Sequence, residues 1–101
     1  MKKIRVGNAA IEEVLLGVPS GHRHLRAAIK TAVGTFLFQE AALAGLVRAF
    51  VTLKTHPKRR ALRLVGRRPS GIKPGFDPDQ LLEEETAEEA IEAELAKLLE
   101  E

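Results

Sequence analysis

The spacing of apolar residues changes several times along the chain, and each spacing predicts a different element. Ile4 and Val6 alternate with cationic neighbours, as in a short edge strand over residues 2–6 that Gly7 ends. Asn8 suits an N-cap and residues 9–16 a helix, with Glu12 and Glu13 in its first turns, where the helix dipole favours acids. Gly17 then acts as a stop, and Pro19-Ser20-Gly21 as a turn. Over residues 22–33, Leu25, Ala28, Ile29 and Ala32 recur at three and four residues and predict a second helix, closed by Gly34. Residues 35–47 carry two patterns. Leu37, Ala41, Ala44 and Val47 suit a helix, whereas Phe36-Leu37-Phe38 alone suits a strand. The helix is preferred because Ala-Ala-Leu-Ala favours it.

Alternation then takes over. Val47, Ala49, Val51 and Leu53 interleave with Arg48, Phe50, Thr52 and Lys54, which is strand periodicity. His56-Pro57 breaks the chain, and Leu62 and Leu64 alternate with Arg63 and Val65 in a second strand. The two make an antiparallel hairpin with Lys58, Arg59 and Arg60 at its tip. Period two places Arg63 and Arg67 on one face, while Arg60 and Arg68 flank the apolar face of Leu62 and Leu64. Asp77 as N-cap, Pro78 at the first helical position and Gln80 at the capping-box position predict a helix from 77 to about Leu99. Leu81, Ile91, Leu95, Leu98 and Leu99 form its apolar stripe, interrupted by Glu84, Glu85 and Glu88. The expected fold is α+β: a small single domain with N-terminal helices, a basic antiparallel β-hairpin and a long acidic C-terminal helix. Residues 1–76 form its basic body, and residues 77–101 belong to the same domain or serve as an interaction tail.

Net charge makes that division sharper. The formal charge of the 101 residues is only +2. Residues 77–101 hold eleven acids against Lys97, a net −10, while residues 1–76 hold fifteen bases against Glu12, Glu13 and Glu40, a net +12. The boundary is the turn-rich run from Pro69 to Pro78. Lys54, Lys58, Arg59, Arg60, Arg63, Arg67, Arg68 and Lys73 lie within twenty residues with no acid among them. Arginine forks match phosphate oxygens, and a two-stranded ribbon fits a nucleic-acid groove. These eight residues are the expected contact surface for nucleic acid or another polyanion, with the acidic helix competing for it. The absence of Tyr and Trp directs such binding to the backbone, away from base stacking. In the alternative reading the cations blunt a hairpin edge. The protein is then a structural or interaction protein, forming homo-oligomers through the acidic helix of one chain on the basic body of another.

Helices followed by a basic-tipped hairpin resemble the order of elements in winged-helix domains, over residues 8–68. The helix at 35–47, in the recognition position, offers Gln39 and Glu40 with almost no base-reading cation, which argues against sequence-specific DNA readout.

Other chemistry is sparse. Gly17-Val18-Pro19-Ser20-Gly21 lacks the spacing and lysine of a phosphate-binding P-loop. As a minor reading, its amides beside His22 and Arg23 suit an anion at a helix start, and with it an enzyme acting on a phosphate-bearing substrate. His22 and His24, two apart on a helix, point away from one another, and with His56 they make no metal set. Ser20 and Ser70 have no ordered His and Asp partners. No catalytic residue, metal or cofactor is expected.

Cysteine is absent, which excludes disulfides and thiolate chemistry. Glu12 and Glu13 interrupt any signal-peptide core, so a cytoplasmic protein is expected. Glu40 and Arg48 break the most apolar region, 31–53, and argue against a membrane span. One Asn, two Gln and one Met among 101 residues is a bias shared by heat-adapted proteins and GC-rich genomes.

Overall fold

Segments of six or seven residues bounded by glycines and turns make only marginal helices on their own, and here they pair with one another instead. In the computed structural model, which describes residues 2–100, β1 (Ile11–Gly17), β2 (Arg26–Thr31) and β3 (Gly34–Gln39) form an antiparallel sheet in the order β1-β2-β3. A 3-10 turn, Asn8–Ala10, leads into β1, and residues 2–6 are not in a strand. The helices expected over 9–16 and 22–33 are therefore corrected to strands. In the second of these, Ala27, Ile29 and Thr31 alternate with Arg26, Ala28 and Lys30. This period of two coexists with the three-and-four spacing in so short a run, and the β-branched Ile29 and Thr31 tip the balance.

The β2–β3 turn shows how the sequence closes that sheet. Thr31 lies opposite Gly34, leaving Ala32 and Val33 as a two-residue connection. Such hairpins usually place their loop residues at positive φ, yet among the described residues no non-glycine has it. Gly34 takes φ 146° instead. The Thr31 hydroxyl donates to the Gly34 carbonyl at 2.7 Å and accepts from the Val33 amide at 3.2 Å.

The chain turns directly from β3 into α1 (Glu40–Thr55). Phe36-Leu37-Phe38 is thus strand, and the hairpin strand expected over 47–53 is corrected to the second half of a helix. Helix formers from Ala41 onward start it, and its propagation carries through the alternating stretch. His56 donates its amide to the Thr52 carbonyl at 2.9 Å, and Pro57 stops further turns. The buried side of α1 is built from small residues around Gly45, whereas Leu46, Val47, Phe50 and Val51 are exposed. That distribution is inverted relative to an ordinary surface helix.

β4 (Arg63–Arg67) forms where a strand is expected, but its antiparallel partner is β5 (Gln80–Glu84), followed by α2 (Glu88–Leu99). The single helix expected from Asp77 is corrected to a strand and a shorter helix. Asp77 still uses its capping chemistry, but in a turn: its Oδ1 accepts the Asp79 amide at 2.8 Å, and Gln80 Nε2 donates to its carbonyl at 2.8 Å. The order β-β-β-α-β-β-α replaces the winged-helix order. The class is α+β, with a hairpin and a C-terminal helix.

Contacts divide the chain into two units, residues 1–43 and 44–101, and α1 runs through the division. Ala27 in the first unit, and Ala61 and Ile91 in the second, are the buried apolar residues among those described. Within the second unit a Cβ built on Gly45 would lie 3.1 Å from Leu81 Cβ, so the helix approaches β5 closely enough that any larger side chain makes Leu81 give way. Gly45→Val is expected to destabilise the protein by about 1–3 kcal/mol through overpacking. The check is a lower urea midpoint at unchanged m-value. An unchanged midpoint would mean that α1 does not rest on β5.

Candidate functional site

The eight cations proposed as a polyanion surface are distributed over several elements. Lys54 is in the last turn of α1, where a cation complements the helix dipole. Lys58, Arg59 and Arg60 lie in the connection from α1 to β4, and not at a hairpin tip. This corrects the expected geometry: β4 runs antiparallel to 80–84, so the tip expected at 58–60 does not exist. Arg63 and Arg67 are on β4, Arg68 follows it, and Lys73 is in the 68–79 connection.

Every arginine of the group meets an acid of the C-terminal segment. Arg59 pairs with Glu83. Arg60 Nε lies 3.1 Å from Glu92 Oε1, and its backbone amide donates to Glu88 Oε1 at 3.1 Å. Arg63 Nη2 lies 2.6 Å from Glu94 Oε2, and Arg67 Nη2 lies 2.7 Å from Glu84 Oε1. Arg68 holds Asp79 through two bonds, Nε to Oδ1 at 2.9 Å and Nη2 to Oδ2 at 3.0 Å. The fork raises the Arg68 guanidinium above its ordinary pKa and lowers the Asp79 carboxyl, in each case chiefly through the bond between them. Glu83 likewise raises Arg59, first through its hydrogen bond. Among the described residues no acid pairs with Lys54, Lys58 or Lys73.

β-Sheet pairing creates part of this match. In the β4–β5 register Arg63 lies opposite Glu84, Val65 opposite Leu82, and Arg67 opposite Gln80. A basic strand beside an acidic one is favoured across the sheet, whereas two basic strands repel. The pairs are solvent-exposed, so each contributes little alone, and their weight lies in number and in choice of partner.

The turn at 17–23 does not start a helix, so the anion site read there loses its dipole. His22 donates its amide to the Pro19 carbonyl at 3.0 Å, a simple turn. Beside it lies an open groove of about 390 Å³ whose lining includes Leu15, Leu16, Val18, Pro19 and Leu37, with Arg26 as its charged residue. Across the first unit, Glu40 accepts the Leu25 amide at 3.0 Å and sits 3.2 Å from His24 Nδ1. Among the described residues no group of His, Cys, Asp or Glu is placed to hold a metal, and no helix is long and apolar enough to cross a membrane.

Comparison of the chain with protein-family models, curated proteins and solved structures finds no match. The site is therefore read from its own geometry.

Sequence reasoning marked an apolar seam at Leu95, Leu98 and Leu99, which are exposed, but overlooked the apolar surface of β3 and α1. Leu37 in β3 is 77% exposed and Phe50 in α1 is 63% exposed. The signal was present in β3, a run of six uncharged residues rich in aromatics.

Glu40 carries a pH dependence of defined sign. The Leu25 amide, ahead of the His24 and Arg26 contributions, holds its carboxyl below its ordinary value. A lowered folded-state pKa contributes stability that is present above the unfolded pKa, about 4.3, and is lost as pH falls through the lower folded value. Stability is expected to fall on acidification below about pH 4.3, and Glu40→Gln should flatten that decline. Denaturation midpoints of both proteins across pH 2.5–6 make the check, and identical acid limbs would contradict it.

Proposed function

We propose that this protein is a non-enzymatic interaction module that acts as a homo-oligomer. One observation carries the reading. The chain exposes 8352 Å², against about 5,700 Å² for a compact protein of its mass and about 6,800 Å² for two separate compact bodies sharing that mass. The excess over the second figure, about 1,500 Å² per chain, matches the surface that an obligate homodimer buries. Large apolar side chains share in that exposure: Val14 and Leu16 on β1, Leu37 on β3, Phe50 on α1 and Leu95 on α2 are all exposed, and no large side chain is fully buried among the described residues. Exposure of this extent marks surfaces that meet a partner. A non-catalytic role is supported by Asp79, Glu83, Glu84, Glu92 and Glu94, each of which is held by an arginine and not poised as a catalytic pair.

Sedimentation equilibrium should give a mass of about 22 kDa or more at micromolar concentration. The thermal midpoint should rise with protein concentration, because association stabilises the folded chain by mass action. A monomer with a concentration-independent midpoint up to millimolar would refute the reading.

The polyanion reading keeps one specific observation, the three lysines without acid partners. With the five arginines occupied, residues 54–73 offer three cations to a phosphate backbone. The slope of log K against log salt on duplex DNA should then be about −3 or shallower from this segment. D79N/E83Q/E84Q releases arginines and should steepen it. A wild-type slope of about −7 would mean that the arginines leave their acids for phosphate.

A further inference from the structure

The first unit ends in two sheet edges of opposite character. β1 is blunted: Glu12 and Glu13 lie on it, and its pairing with β2 shifts register between Ile11 and Glu13. Charges and bulges are the usual protections against pairing with another chain. β3 has neither. Its sequence GTFLFQ holds no charge and no proline, its pairing with β2 is regular over all six residues, and among the described residues β2 is its one strand partner.

We infer that β3 is the edge through which two copies of this chain join, antiparallel across a two-fold axis, into one six-stranded sheet. The inference rests on the homo-oligomer reading above and names its surface. A two-fold axis normal to an antiparallel pair requires one residue to lie opposite itself. Centring on Leu37 places Leu37 against Leu37, and Phe36 against Phe38 twice. Every aromatic of the strand then gains an aromatic cross-strand neighbour, a favourable pairing on one face. Centring on Phe36 instead leaves Phe38 opposite Gly34. In the β2–β3 register Phe36 faces Ile29 and Phe38 faces Ala27, and across β1 these rows continue to Val14 and Leu16. The joined sheet therefore carries one uninterrupted apolar face. The exposed face of α1 is the rival surface, but residues 44–55 hold Arg48 and Lys54 without an acid, so two copies repel there.

The test uses full-length chains with Leu37→Lys or Leu37→Glu, the side chain being 77% exposed and its loss mild for the fold. Far-UV circular dichroism checks that each variant stays folded. Each alone should weaken dimerisation at least about a hundredfold in sedimentation equilibrium, because like charges meet at the axis. Mixing the two variants should restore a dimer of one chain of each kind. Glu12→Lys, which keeps a charge on the blunted edge, should leave the association constant within about threefold of the wild type. A wild-type monomer removes the homo-oligomer reading and this inference together. A wild-type dimer unaffected by Leu37→Lys, or variants that fail to complement when mixed, overturns the β3 edge alone.

Discussion

Five arginines in the ten residues 59–68 repel one another unless carboxylates lie among them. The chain supplies those carboxylates itself, from residues 79–94, and much of the second unit follows from the match. The basic strand takes an acidic strand as neighbour, and α2 returns Glu92 and Glu94 to Arg60 and Arg63. No single exposed pair is strong. Together they select which segments pair, since a basic strand beside another basic strand is disfavoured at every opposed position. The same match changes the meaning of the charge split. A field that on composition alone invites a polyanion is largely neutralised inside one chain, and the lysines at 54, 58 and 73 are what remains of it.

What the charge pairing does not supply is burial. Ala27, Ala61 and Ile91 are small or few, and α1 turns Gly45 inward while Leu46, Val47 and Phe50 face out. A chain of this size has little apolar area to spare for a core. The proposed homo-oligomer would bury the large side chains left at the surface, and the stability of each copy would then depend on the presence of others. Charge sets the pairing within the chain, and in the homo-oligomer proposed here apolar surface would set its relations outside.

The α+β class and a strand beginning near Arg63 were legible in the sequence, and the C-terminal acids were legible as a candidate counter-charge to the basic run, though not as a strand beside it. The partner of that strand was not. Val47 to Leu53 alternate as a strand does, but a helix already propagating from Glu40 continues through them until Pro57 stops it. Asp77-Pro78 reads as a helix start, and the same side-chain bond serves an extended turn into β5. Local rules describe Asp77 equally well in both settings, and the choice belongs to the tertiary pairing of Leu82 with Val65. In the N-terminal third, segments such as 26–31 satisfy both periods at once, so pattern alone cannot separate helix from strand. The polyanion residues were identified by charge, which the sequence displays openly. Their acid partners lie between 11 and 32 positions away, a separation that only folding closes.

An isotope-filtered NOE experiment on a mixture of labelled and unlabelled chains tests the central point most directly, namely that the basic and acidic segments pair within one molecule. The expected result is a cross-strand contact between Val65 and Leu82 inside the labelled chain, with extended chemical shifts over residues 80–84. Helical shifts there, or a Val65–Leu82 contact seen only between labelled and unlabelled chains, would contradict it.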